Sequence, residues 1–111
     1  MGGRSTSPPN ETPPPRGDSC KALRIETTLM SPQADALNSI RVGDVLRVGL
    51  QRVQEHRFVA VLDPAGRIVG TVGSDRAIQL IDCLDRGYTY AADVLGIDGG
   101  ACRVLIRHSD R

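Results

Sequence analysis

Few side chains in this chain could act as a nucleophile or a base. Ser74 lies between Gly73 and Asp75, and this stretch lacks the Gly-x-Ser-x-Gly spacing of a nucleophile elbow. Ser74 is better suited to cap a helix. The two histidines, His56 and His108, fall in a predicted loop and near the end of the chain, and neither has a neighbour spaced to orient it. We therefore predict surface histidines, no catalytic residue and no enzymatic activity.

One pair of carboxylates could bind a metal or carry out acid–base chemistry. Asp82 and Asp85 are three residues apart in a predicted helix and can share a face. They flank the apolar stripe of that helix beside Arg86, so a solvated helix edge is the simpler interpretation. No cysteine or histidine neighbours occur at the spacing of a zinc site. We expect neither a metal nor a cofactor.

The three cysteines, Cys20, Cys83 and Cys102, cannot all pair with one another. Cys83 and Cys102 occupy apolar patterns typical of buried small hydrophobic residues. We expect free thiols, which fit a reducing compartment, and hence a soluble cytoplasmic protein. No apolar run approaches the roughly 20 residues of a membrane span, and the first residues lack the apolar core of a signal peptide.

Arginine is the most distinctive residue type. All of the 14 basic residues except Lys21 are Arg, whose planar fork matches phosphate. The formal net charge is only +1, so any charge-driven binding to nucleic acid would need local clustering of arginines. Codon bias in a GC-rich genome would produce the same composition, and this alternative stays open.

Alternation of polar and apolar residues places several arginines on strand faces. Arg47 and Gln51 share one face of a predicted strand, and Arg103 and Arg107 share one face of the last strand. If these two strands are neighbours, they form an arginine-bearing sheet face that could follow a phosphate backbone. The alternative is a solvated sheet face.

Other positions complete the candidate set. Residues 72–76 lead a strand into the start of a helix, where free N–H groups and Arg76 favour an anion, although the carboxylate of Asp75 competes for those donors. Tyr88 and Tyr90 are two residues apart and could form a small stacking platform or the rim of the core. Arg67, in the predicted hairpin, joins the candidate set because of its position and charge. The candidate nucleic-acid-binding residues are Arg47, Arg67, Arg76, Arg103, Arg107, Tyr88 and Tyr90.

The chain divides into a tail and one domain. Residues 1–20 hold most of the seven prolines with Gly, Ser and Thr, and they cannot bury enough apolar surface to offset the entropy of ordering. We predict a disordered tail over residues 1–20. Residues 21–111 suffice for one small domain.

Turn residues and periodicity define the elements of that domain. Turns are predicted at 43–44, at 63–66 and at 98–100, and residues 51–56 are predicted to form a loop. A short helix capped by Ser31 runs to about Ser39. One substantial helix runs from an N-cap at Ser74 to Arg86, with Gly87 as its left-handed C-cap. Its predicted apolar stripe comprises Ala77, Ile78, Ile81 and Leu84.

The element order is β, short α, β, β, β, α, β, β. Hairpins with one main helix are typical of an α+β domain with a small curled antiparallel sheet or an open β-barrel.

In this order of elements, residues 23–107 resemble a HIRAN-type domain. The similarity lies in the strand start at Gly43 and Asp44, the strand at 58–62, the hairpin DPAGRIVG at 63–70, and the helix at 74–87 with its closing hairpin. The resemblance implies a small barrel-like module that grasps DNA ends and is usually attached to helicase or nuclease domains. The family's Asn-Pro-Tyr-Asp segment is replaced by residues 54–57, and its aromatic after the hairpin glycine is replaced by Thr71.

These patterns predict a non-catalytic binding module. The first hypothesis is contact with nucleic acid, as a single strand or a DNA end, by a module that acts beside a separate enzyme. The alternative is a protein–protein adaptor or accessory subunit with no affinity for nucleic acid. No membrane partner is expected, and the sequence leaves the oligomeric state open.

Overall fold

A computed structural model describes residues 16–109 of the chain, without the side chains of residues 16–18 and Ser74. It is a small α+β fold, as predicted: three helices accompany six antiparallel strands in one open sheet. The elements are α1 (Arg16–Ala22), β1 (Arg24–Thr28), α2 (Ala34–Leu37), β2 (Val45–Val53), β3 (His56–Leu62), β4 (Ile68–Thr71), α3 (Ser74–Asp85), β5 (Thr89–Asp98) and β6 (Ala101–Ser109).

The strand order in the sheet is β1-β6-β5-β2-β3-β4, so β5 lies between β2 and β6. The sheet curls until its two edges meet at one point. There, Met30 follows β1 and exchanges two backbone hydrogen bonds with Thr71 of β4, at 2.8 and 2.9 Å. The next contact on the same edge is the N–H of Gln33, which donates to the carbonyl of Val69.

Glycines occupy the turns that the sequence predicted. Gly66 has φ +88° and its N–H donates to the carbonyl of Asp63, while Gly99 and Gly100 both have positive φ and close the β5–β6 hairpin. The predicted loop at 51–56 is wrong. Its residues continue β2 and β3, and only Gln54 and Glu55 lie in the turn. Polar side chains are compatible with a strand when the ribbon faces solvent.

Helix α3 packs its apolar side on the sheet and ends as predicted, with Gly87 at φ +96°. Two details differ from the sequence prediction. The helix already includes Ser74, so the N-cap is Gly73, without a side-chain capping bond. Ile78 is 73% exposed, because the buried positions of the helix are Ala77, Leu80 and Cys83.

Helix α1 is absent from the sequence prediction. Residues 1–15 of the predicted tail lie outside the described residues, whereas residues 16–20 belong to α1. Cys20 of α1 forms a disulfide with Cys83 of α3, so the prediction of free thiols is wrong for these two. Cys102 is free and buried, as predicted. The carbonyl of Cys20 also accepts a hydrogen bond from the hydroxyl of the buried Tyr90.

Helix α2 is shorter than predicted. Its N-cap is Gln33, without a side-chain capping bond, and Ser31 instead adopts φ +50° in the segment that leads to the helix. The segment's backbone contacts with β4 set its path, and they displace the capping role expected from Ser31.

Gly70 is required where the segment after β1 passes close to β4. A Cβ there would lie 2.8 Å from the Cβ of Leu29 and 3.1 Å from the carbonyl oxygen of Met30. We expect Gly70→Ala to lower the free energy of unfolding by about 1–3 kcal/mol, because the overpacked backbone must shift. Urea denaturation measures the loss.

Gly49→Ala is the matched control for this prediction. Its Cβ would meet the flexible end of Leu62 at 3.2 Å, which can move aside. A Gly70→Ala protein that is no less stable than Gly49→Ala would contradict the role assigned to Gly70.

Candidate nucleic-acid interface

The strand register brings arginines from three strands into one row across the sheet. Arg47 of β2 pairs with Ala91 of β5, Ala91 pairs with Arg107 of β6, and Arg107 pairs with Arg24 of β1. Directly paired residues point to the same face of a sheet. With strands about 4.8 Å apart, the row extends over roughly 14 Å from Arg47 to Arg24.

These residues define what we call the outer face, since the side chains between them along each strand point into the core. Leu46, Ala92 and Ile106 alternate with the row and are at most 3% exposed. Arg103 is four residues from Arg107 on β6 and pairs with Thr28 of β1, so it lies on the outer face as well.

The sequence predicted an arginine-bearing face on the condition that β2 and β6 are neighbours in the sheet, and they are not. Strand β5 separates them, but the intervening residue is Ala91, whose side chain is small and buried. Arg47 and Arg107 therefore flank a low point of the outer face. The structure brings together Arg47, Arg103 and Arg107 of the predicted set.

Arg24 belongs to this face and was missed by the sequence analysis. The sequence contains the signal for it, because the apolar residues Leu23 and Ile25 flank Arg24 and alternation then turns Arg24 outward. Arg24 and Arg47 are both exposed, and neither forms an ion pair with another described residue.

Acidic residues neutralise the other two arginines of the outer face. Arg107 donates two hydrogen bonds to Asp93, at 2.7 and 3.0 Å, and Arg103 donates one to Glu26 at 2.9 Å. The guanidinium of Arg107 holds the pKa of Asp93 below its usual value, and Asp93 in turn raises the pKa of Arg107. Arg24 also helps to lower the pKa of Asp93 without forming an ion pair with it, so Arg47 is the member of the row with no acidic neighbour shown among the described residues.

Arg67 has a structural role in the β3–β4 turn. Its backbone N–H and its Nε both donate to the carboxylate of Asp63 at 2.9 Å, and Asp63 is 1% exposed. Arg67 also lines a depression of about 520 Å³ whose apolar residues include Phe58 and Ile68. It is not part of the row of arginines.

Arg76 is separated from the outer face. It is exposed in the first turn of α3, and the buried residues of that helix belong to the core that the inner face of the sheet forms. The sequence placed it in the candidate set for its position near a helix start. The structure does not bring it to the other arginines.

The two tyrosines do not form a stacking platform. Tyr90 is 3% exposed, and burial raises the pKa of its hydroxyl, with a smaller effect from Tyr88. Tyr88 is half-buried, and both rings contact His108 edge-on, at centroid distances of 5.9 and 5.7 Å. Of the two interpretations left open by the sequence, the rim of the core describes them better.

The two carboxylates considered for metal binding or acid–base chemistry both form ion pairs. Asp82 pairs with Arg86 at 3.1 Å, and Asp85 pairs with Arg57 at 2.7 Å. Within residues 16–109, no group of three or more His, Cys, Asp or Glu side chains could hold a metal ion. None of the helices in that range has the length and apolar character needed to cross a membrane.

The fold and the arginine row define a small α+β domain with a charged sheet face. Comparison with protein-family models, with curated proteins and with solved structures found no match to this chain.

Proposed function

We propose that this protein is a non-catalytic binding module that holds nucleic acid against its outer face. The observation that carries the proposal is the row formed by Arg24, Arg47 and Arg107 across four neighbouring strands. Arginine offers a planar fork to phosphate oxygens, and a row of such groups can follow a sugar–phosphate backbone without reading its sequence.

The charge distribution supports contact through the backbone of the nucleic acid more than through its bases. Neither Arg24 nor Arg47 forms an ion pair with another described residue, so a phosphate would not have to break one. Arg24 does lie close enough to Asp93 for its charge to help lower the pKa of that carboxyl. The side chain of Arg107 is bound to Asp93, which fixes its position at the cost of much of its charge. The outer face lacks an exposed tyrosine for base stacking.

The resemblance to HIRAN-type domains supports the same proposal. Such a module would bind a single strand or a DNA end and would act beside a separate enzyme.

Reversing the charge of the row should abolish most of the affinity. We expect the double variant Arg24→Glu, Arg47→Glu to bind fluorescein-labelled single-stranded oligo-dT about tenfold more weakly or worse, because two phosphate contacts become repulsive. The slope of log affinity against log salt should fall by about 1.4, from about 0.7 for each lost contact. Fluorescence anisotropy over a salt series measures both quantities, with a blunt duplex as the second probe.

Arg76→Glu is the control for this experiment, because it reverses one charge at an exposed position away from the outer face. It should leave most of the affinity intact. The proposal fails if the unmodified protein binds neither probe at low salt, or if Arg76→Glu weakens binding as much as Arg47→Glu alone.

The second candidate function is a protein–protein adaptor with no affinity for nucleic acid. The observation that favours it is the number of arginines that already have acidic partners, since Arg57, Arg67, Arg86, Arg103 and Arg107 each form an ion pair. An adaptor would show no salt-dependent binding to either probe.

The cytoplasmic location expected from the sequence requires that the domain fold without the Cys20–Cys83 disulfide. Thiols are kept reduced in the cytoplasm, so the domain would have to stay folded with Cys20 and Cys83 reduced. Of the described side chains of α1, Cys20 is the buried one, and the rest of the core comes from the sheet, α2, α3 and the segments that connect them. We propose that the sheet and α3 remain folded without the bond.

A further inference from the structure

Strand β2 extends well beyond its pairing with β5. The two strands pair at Val45, Leu46 and Arg47, after which they separate, although β2 continues to Val53. From residue 48 onward, β2 is paired only with β3. The N–H of Val48 lies next to the Arg47–Ala91 pair and still faces the carbonyl of Tyr90 in β5, so one edge of β2 is without a strand partner over residues 49–53.

The register identifies the backbone groups that point to this edge. Val53 and His56 flank the two-residue turn and form the closing pair of the hairpin. In such a hairpin the closing pair is hydrogen-bonded, and hydrogen-bonded and non-hydrogen-bonded pairs alternate along the ladder. The N–H and C=O groups of Val48, Leu50 and Arg52 therefore point away from β3.

The edge strand β4 of the same sheet, in contrast, has backbone partners along its outer edge. Its outer edge is occupied by Met30, which bridges to Thr71, and by the N–H of Gln33, which donates to Val69. Strand β2 forms no pair with β5 beyond Arg47, and among the described residues no turn or loop forms a backbone hydrogen bond with residues 49–53. This unpaired length is the feature that we call the β2 edge.

Side chains along the β2 edge define which strand would fit. Arg52 lies directly opposite Arg57 of β3, and like charges at directly opposed positions of a sheet repel. Arg57 is paired with Asp85 at 2.7 Å, whereas Arg52 is exposed and has no ion pair with a described residue. An acidic side chain on an added strand, opposite Arg52, would supply the missing charge.

The other side chains on the Arg52 side of the β2 edge are apolar. Leu50 and Val48 lie on the same side of the strand as Arg52, and both are half-buried. At the end near Val48, the separation of β2 from β5 leaves a cleft of about 440 Å³ lined by residues 45–48, residues 89–91 and Ser109. Apolar side chains of an added strand would be buried against these residues.

We propose that the β2 edge binds an extended segment of a partner protein, which adds a strand next to β2. The segment carries an acidic residue opposite Arg52 and apolar residues at the second and fourth positions from it, opposite Leu50 and Val48. Main-chain hydrogen bonds supply affinity in this mode of recognition, and alternate side chains supply specificity. The cleft at the Val48 end shares Arg47 and Ala91 with the arginine row, whereas Leu50 and Arg52 lie outside it. Shifts at Leu50 and Arg52 therefore report on the peptide proposal alone, and either proposal can fail without the other.

The test uses a short peptide of alternating threonine and valine with a glutamate at one end, titrated into the ¹⁵N-labelled protein. The amide resonances of Leu50 and Arg52 should shift and gain protection from hydrogen exchange. The amides of Gly49 and Gln51, which already face β3, should change less. A peptide with lysine in place of the glutamate should bind about fivefold more weakly.

Backbone methylation of the peptide separates strand addition from other binding. Methylating the alternate amides that would face β2 should abolish binding, and methylating the other set should not. On the protein side, Arg52→Pro removes the edge N–H and should weaken binding more than Arg52→Ala, which keeps it.

The proposal is overturned if the shifts lie elsewhere on the domain or are absent at saturating peptide, or if both methylated peptides bind equally. Equal binding of the glutamate and lysine peptides would overturn the assigned role of Arg52.

Discussion

Reduction of the Cys20–Cys83 disulfide is expected to lower the free energy of unfolding by about 4 kcal/mol. The two cysteines are 63 residues apart in the chain, and a cross-link of that length removes much of the unfolded chain's entropy. For a domain of this size, such a loss corresponds to a fall in Tm of roughly 15–30 °C. Thermal unfolding with and without reductant measures it.

The structural reason concerns α1. A helix of seven residues is too short to be stable alone, and Cys20 supplies its buried side chain, in addition to the carbonyl that accepts from Tyr90. Breaking the bond should release α1 while the sheet stays folded. The amide resonances of residues 16–22 should then move toward random-coil positions, whereas those of β5 and β6 should largely keep theirs.

The Cys102→Ala protein is the background for this comparison, because it contains no third thiol that could exchange with the disulfide. Burial raises the pKa of the Cys102 thiol, which keeps it protonated and unreactive in the folded protein. If the oxidised and reduced forms of this protein unfold at the same temperature, the disulfide does not stabilise the domain as proposed.

Asp63→Asn is expected to be the next most damaging change, with a Tm lowered by roughly 5–15 °C at neutral pH. The carboxylate of Asp63 is buried and accepts hydrogen bonds from the N–H groups of Ala65 and Arg67 and from the Arg67 guanidinium, each at 2.9 Å. An amide can accept fewer of these bonds and places an N–H donor against other donors. Differential scanning calorimetry measures the change.

The effect should depend on pH in a defined direction. The Arg67 N–H is the largest influence on the pKa of Asp63 and, with the guanidinium and the Ala65 N–H, holds it below the usual value, although burial acts in the opposite direction. Because the pKa is lower in the folded state, the ionised form stabilises the fold at any pH above the unfolded value of about 3.9. That stabilisation is lost as pH falls through the folded value.

The difference in Tm between the unmodified protein and Asp63→Asn should therefore be constant from pH 7 to about pH 5 and shrink below about pH 4. Asp82→Asn is the control, since the exposed Asp82–Arg86 pair contributes little to stability. A difference that stays constant down to pH 2 would show that the charge of Asp63 does not stabilise the turn.

Local sequence signals predicted the parts of the fold that local physics controls. Gly66, Gly87 and the Gly99–Gly100 pair adopt positive φ at the predicted turns and helix end, because glycine pays little for that conformation. The α+β class followed from those turns together with the strand alternation. The segment at 51–56 was misassigned because its polar side chains are also compatible with an exposed hairpin.

Features that depend on distant contacts could not be predicted in the same way. Helix α1 is short and follows a proline-rich segment, and its partner Cys83 is 63 residues away. The outward position of Ile78 depends on which side of α3 meets the sheet, and periodicity alone allowed a wider stripe.

The candidate site, too, combines features that local sequence predicts with features that depend on distant contacts. Alternation correctly placed Arg47, Arg103 and Arg107 on strand faces, but the strand order that joins them through Ala91 is not encoded in any local pattern. The role of Arg67 was missed because the burial of Asp63 depends on the packing of the surrounding chain.

A single titration tests the proposed nucleic-acid function most directly. The ¹⁵N-labelled protein is titrated at low salt with single-stranded oligo-dT while the amide and the arginine side-chain N–H resonances are followed. We predict that the largest shifts fall on Arg24, Arg47, Ala91 and Arg107, and that they reverse when salt is added. Saturating oligonucleotide that shifts none of these resonances, or that shifts only residues of α3, would contradict the proposal.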